Sequence, residues 1–115
     1  MPSYETARAN NLQGVKELKN WYSNQNRFVP IEKVKSGEFV PQKGDIFFKK
    51  SVDSETGRDA WHAGFVTSYD NVTQRFNTIE GNTNDKKSSD GYGVYELNRT
   101  LKDIVGFGYN LYTGD

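Results

Sequence analysis

The residues best placed to do chemistry lie in one stretch, "HAGFVTSYDNVTQRFNTIEGN", which covers residues 62–82 and holds the only histidine of the chain. It reads as two strands around a turn, with His62 opening the first and Glu80-Gly81-Asn82 closing the second. With the turn centred on Asn71, antiparallel partners have numbers adding to a constant, and His62 falls opposite Glu80. Directly opposed side chains have Cβ atoms about 4.5–5.5 Å apart, close enough for a carboxylate to meet an imidazole nitrogen. A carboxylate so placed fixes which ring nitrogen carries the proton and stabilises the imidazolium formed when the ring acts as a base. Asn82 points the same way and is a candidate accessory polar group, while Gly64 leaves room beside the ring. The same pair is also an ordinary cross-strand contact, worth about 0.2–1 kcal/mol and needing no chemistry.

A histidine–carboxylate pair needs a nucleophile to activate, and the commonest partner in small hydrolases, a cysteine, is absent from all 115 residues. Serine is a poor replacement here. The chain has no Gly-x-Ser-x-Gly elbow, and a hydroxyl starts from a far higher pKa than a thiol. Zinc has one histidine and no thiolate to bind it. "DSETGRD" offers Asp53, Glu55 and Asp59 at alternate positions, but its glycine falls one place early and no acid closes a calcium loop. Neither a metal nor a cofactor is expected.

Several elements must hold these residues. In "NLQGVKELKNWYSNQNRF" the apolar residues Leu12, Val15, Leu18, Trp21 and Tyr22 are three and four apart, which predicts an amphipathic helix with Asn10 or Asn11 as its cap. Residues 29–40 read as loop, broken by Pro30, Ser36 and Gly37. A short strand is expected at residues 45–49, with adjacent Phe47 and Phe48 covered on both faces. "SVDSETGRDAW" is a polar loop long enough to belong to a site. "TNDKKSSDG" is a second polar loop, and "YGVYEL" and "IVGFGYN" are two last strands with a turn at "NRTLKD" between them. The expected fold is α+β, one domain over residues 1–115, with an N-terminal helix packed on a mostly antiparallel sheet of about five strands.

Composition narrows the partners. Lys plus Arg and Asp plus Glu number 15 each, so the basic excess of a nucleic-acid binder is missing. No apolar run approaches the ~18 residues of a membrane span, and the first residues have neither the basic start nor the apolar middle of a signal peptide. With 34% hydrophobic residues the core is small, offset in part by 14% aromatics.

Taken together, "PQKGDIFF", "WHAGFVTSYD", "TIEGNTND" and "IVGFGY" resemble the CHAP domain family, cysteine amidohydrolases and peptidases related to the NlpC/P60 group. The helix "GVKELKNWYSNQNRF" looks like the second helical segment of that family, and the resemblance runs from about residue 4 to residue 109. It implies an incomplete papain-like core and cleavage of amide bonds in peptidoglycan, with the stem peptide as ligand. His62 would be the general base, Glu80 its orienting partner and Asn82 an accessory group. It also implies that the cysteine sits on a helix preceding residue 1, so that the chain alone is inactive and uncovers apolar surface near His62 and the main helix. A partner chain supplying that helix, or a homodimer, would then cover the surface. The location implied is extracellular, in the cell wall or on a phage particle. A non-catalytic relative that binds cell-wall peptide or protein, and a structural module of a phage or secretion apparatus, remain as alternatives.

Overall fold

A computed structural model describes residues 14–82 and 93–110. Leu12, the candidate caps Asn10 and Asn11, and the polar segment 83–91 lie outside the described residues. The elements run α1 (Val15–Asn24), β1 (Phe28–Pro30), α2 (Ile31–Lys35), β2 (Ile46–Val52), β3 (Asp59–Asp70), β4 (Arg75–Asn82), β5 (Gly93–Arg99) and β6 (Ile104–Gly108). This is an α+β chain built on one six-stranded sheet of order β1-β6-β2-β3-β4-β5, in which every pair runs antiparallel.

Strands β2 to β5 form a meander. The β2–β3 hairpin turns through residues 53–58, where the Asp53 carboxylate accepts hydrogen bonds from the Glu55 and Thr56 amides and Gly57 takes a positive φ of 72°. The acidic loop is thus a self-capped turn, six residues rather than about ten because both strands extend into it. The β3–β4 turn spans residues 71–74 and is closed by Asp70, whose carboxylate accepts the Val72 and Thr73 amides. Those two bonds hold the exposed Asp70 carboxyl below the usual carboxylate range.

After β5 only residues 100–103 lead to β6, on the far side of β4, β3 and β2. Five extended residues reach at most about 17 Å, whereas four strand spacings of a flat sheet take about 19 Å. The sheet must therefore curl, and it does: the Arg99 guanidinium at the end of β5 lies over the Phe47 ring of β2, 5.2 Å from its centroid.

A core cluster lies on each face of the curled sheet. Inside the curl, Phe47, Val66, Phe76, Ile104 and Phe107 pack with Val29 and with Ile31 and Val34 of α2. Three of these rings stack edge to face, Phe47 on Phe76 and Phe76 on Phe107. On the outside, Ile46 and Phe48 are covered by Val15, Leu18, Trp21 and Tyr22 of α1. Phe47 and Phe48 are both fully buried, one on each face, as their adjacency predicts. Each contributes about 1.5–3 kcal/mol relative to an exposed ring.

Two expectations need correction. Residues 29–40 hold the end of the edge strand β1 and the whole helix α2 rather than loop alone. Pro30 breaks no structure there: its extended backbone, φ −67° and ψ 154°, ends β1 and starts α2. The sheet accordingly has six strands, not about five. Helix α1 begins on Gly14, whose side-chain-free position gives no capping bond. It packs on the face opposite α2, against Ile46, Phe48 and Ala63, whereas the His62 ring lies on the other face against Phe47.

Candidate functional site

His62, on β3, donates its Nε2–H to the ionised Glu80 carboxylate, Oε1, on β4 at 2.5 Å. The two are not directly opposed. The strands pair Phe65 with Ile79 and Val66 with Thr78, so that partner numbers add to 144 rather than the expected 142. Gly64 therefore stands opposite Glu80, and His62 meets it diagonally. A shift of two leaves both side chains on one face, because facing alternates with period two. Gly64 makes the diagonal possible: a Cβ there would lie 2.6 Å from Glu80 Cγ and 2.7 Å from the Phe47 ring. The missing side chain is where the glutamate runs to reach the histidine.

The Glu80 carboxylate is 3% exposed and has three further donors. Arg99 grips it with two bonds, Nε to Oε2 at 2.5 Å and Nη2 to Oε1 at 2.7 Å. Thr78, two residues back on the same strand, donates its hydroxyl to Oε2 at 2.5 Å. Burial alone would push this carboxyl up; hydrogen bonds from Arg99, Thr78 and His62, with the Arg99 charge, override it and hold it down to about 2. The same bond raises the Arg99 guanidinium further, against its own burial. Glu80 is thus a fixed anion at any physiological pH.

His62 is held from below as well, its ring meeting the buried Phe47 edge to face at 5.8 Å between centroids. Its side chain is 40% exposed. Among the described residues, Nδ1 has no hydrogen-bond partner. One nitrogen is therefore oriented by a buried carboxylate while the other is available to a ligand or to an incoming nucleophile. Asn82 is the last residue of β4, paired with Gly93; its side chain lies outside the described part of the structure. Among the described residues no three His, Asp or Glu side chains gather as a metal site.

The sequence reading brings His62 and Glu80 together but misses Thr78 and Arg99. Thr78 carried a usable signal, since residues two apart on a strand share a face. A buried glutamate also calls for a cation, but choosing Arg99 required the curl of the sheet. Beside the site, Tyr95 and Leu97 of β5 pair with Glu80 and Thr78 and are 38% and 42% exposed, so the same face carries apolar surface.

No family model matches the chain, and neither does any curated protein or solved structure.

Proposed function

We propose that the chain carries the histidine–carboxylate half of a peptidoglycan amide hydrolase site of the CHAP type, built on a papain-like core, with no thiol of its own to activate. The observation that carries this reading is the His62–Glu80 contact at 2.5 Å, with Nε2 engaged and Nδ1 open on a half-exposed ring. In such a site Nδ1 takes the proton of a thiol, the thiolate attacks the amide carbon, and the imidazolium returns the proton to the departing amine. Water then cleaves the thioester. These residues supply the base and its orienting group; the nucleophile must come from another segment or chain. Tyr95 and Leu97 offer apolar surface to such a helix, to a second copy, or to the stem peptide itself. The setting that goes with this chemistry is the cell wall, outside the cell or on a phage particle.

One observation favours a second reading. Arg99 already neutralises Glu80 through two bonds, so the carboxylate has a resident cation and does not require an imidazolium. A brace of this kind suits a non-catalytic relative that binds cell-wall peptide. Both readings are tested by adding soluble stem peptides, released from purified cell walls, to isotopically labelled chain. The hydrolase-type reading expects the His62 ring resonances to move and binding to weaken in His62→Ala. Binding that leaves the ring unmoved and survives that substitution supports the binding module. Absence of any saturable change removes both.

A further inference from the structure

A cleft of about 320 Å³ opens where β4 begins, β5 ends and β6 begins. Its walls carry Lys49, Arg75, Arg99 and Lys102, with Thr100 and Asp103 between them. The whole chain is electrically neutral, yet among the described residues the carboxylates at these four cations are Asp103 and, behind Arg99, Glu80. Two positive charges are left over at one place. The short crossover makes this concentration, because it folds the end of β5 back toward β2 and brings Lys102 up beside Lys49.

The cations are also arranged for a ligand. Among the described residues Arg75 is engaged through Nε alone, which donates to Asn98 Oδ1 at 2.7 Å. Asn98 is in turn fixed by Asn77 at 2.7 Å and Asn77 by Ser68 at 2.9 Å. This polar ladder holds the Arg75 fork in place and leaves its terminal nitrogens unspent. Arg99 is locked by Glu80. Lys49 and Lys102 form no ion pair among the described residues. A planar fork presents paired N–H groups to the two oxygens of a carboxylate or phosphate, and lysine ammonium groups add charge without fixing geometry. A hydroxyl, Thr100, completes the lining.

We infer that this cleft is an oxyanion-binding subsite, receiving a carboxylate or phosphate group of a ligand that passes next to His62. Lys49 is the link between the two places, since it pairs directly with His62 across β2 and β3. The subsite stands on the cleft residues themselves and does not depend on the hydrolase reading. The oxyanion has two natural sources, a free carboxylate on a peptide or a phosphate diester or monoester.

The test is a titration of the labelled full chain at constant ionic strength, following backbone amides and the Arg Nε–H groups. The probes are inorganic phosphate, N-acetylglutamate, and the uncharged N-acetylglutamine amide. Saturable shifts are expected at Lys49, Arg75 and residues 98–103 with the charged probes, and none with the amide. Stronger binding of N-acetylglutamate identifies a peptide carboxylate as the source, and stronger binding of phosphate a phosphate ester. Lys49→Gln and Lys102→Gln, both on solvent-reaching side chains, should each weaken binding by roughly two- to fivefold, the range for one exposed charge. The same spectra report whether each variant is folded. Shifts spread evenly over all surface lysines, or affinities unchanged in a folded Lys49→Gln/Lys102→Gln double variant, overturn the inference.

Discussion

Gly64 and Glu80 face each other across β3 and β4 so closely that no side chain fits on the glycine: its Cβ would stand 2.6 Å from Glu80 Cγ, 2.7 Å from the Phe47 ring and 3.2 Å from the Ile79 carbonyl. Gly64→Ala must push the glutamate off its path or tilt Phe47 out of the core. The expected cost is about 1–3 kcal/mol, the usual size of an overpacked core position, together with loss of the His62–Glu80 contact. Urea unfolding measures the first and the His62 ring resonances report the second. An alanine variant as stable as the parent would show that the path is not as tight as described.

Acid should remove a definite part of the stability. Glu80 titrates at about 2 in the folded chain against 4.5 ordinarily, and a lowered carboxyl favours folding wherever it is ionised. That contribution is complete above about pH 4.5 and disappears as pH falls toward 2. The shift corresponds to at most about 3 kcal/mol. Glu80→Gln should therefore be less stable at pH 7 and show a shallower loss between pH 4.5 and pH 2. Parallel slopes for the two proteins across that window would place the acid sensitivity elsewhere.

Arginine at position 99 is not interchangeable with lysine. Arg99→Lys keeps the charge but gives up one of two bonds to Glu80 and the guanidinium contact with the Phe47 ring. A loss of about 1–2 kcal/mol is expected. Arg99→Met, which leaves a buried carboxylate without its cation, should cost more, about 3 kcal/mol. The ranking of the two in denaturant is the measurement, and equal stability contradicts the bidentate brace.

Asn110 ties the end of the described chain to two distant parts, α1 and the turn before β2. Its side chain accepts from the Tyr22 hydroxyl of α1 at 3.0 Å and donates to the Gly44 carbonyl at 2.9 Å, while its amide donates to Asp45. Burial pushes the Asp45 carboxyl up, and the Gln42 and Asn110 amides oppose that. Asn110→Ala should destabilise the chain by about 1–3 kcal/mol through the buried groups it leaves unsatisfied, seen as a lower midpoint in thermal unfolding.

The purified chain should not release amines from cell walls. General-base help is worth roughly 10²–10⁴-fold but needs a nucleophile, and the sequence holds no cysteine. Turnover that vanishes in His62→Ala would reveal a nucleophile among the residues present.

How much of this was legible in the sequence depended on distance along the chain. The helix stripe from Val15 to Tyr22 and the two-sided burial of Phe47 and Phe48 follow local patterns, and both are present. The short helix α2 escaped because five residues carry only Ile31 and Val34, too few to show a period. The β3–β4 register was displaced by two because the turn takes four residues and a bulge falls between Val66 and Ser68. Parity survived, and with it the shared face of His62 and Glu80. Arg99 was invisible for another reason: its place beside Glu80 is set by the curl of the whole sheet.

The position of β6 bears on how the chain folds as it is made. β6 is the last described strand in sequence, yet it lies between β1 and β2 and is, among the described residues, the one strand that pairs with β1. The meander from β2 to β5 pairs only neighbours in sequence and needs nothing beyond residue 99. On an emerging chain the meander can therefore form while β1 and α2 wait without their sheet partner. Closure comes in one late step, when residues 104–108 slot in and bury Phe107 against Val29 and Phe47 at once. Such non-local closure is slow compared with hairpin formation, and until it happens the edge of β2 is open to other chains.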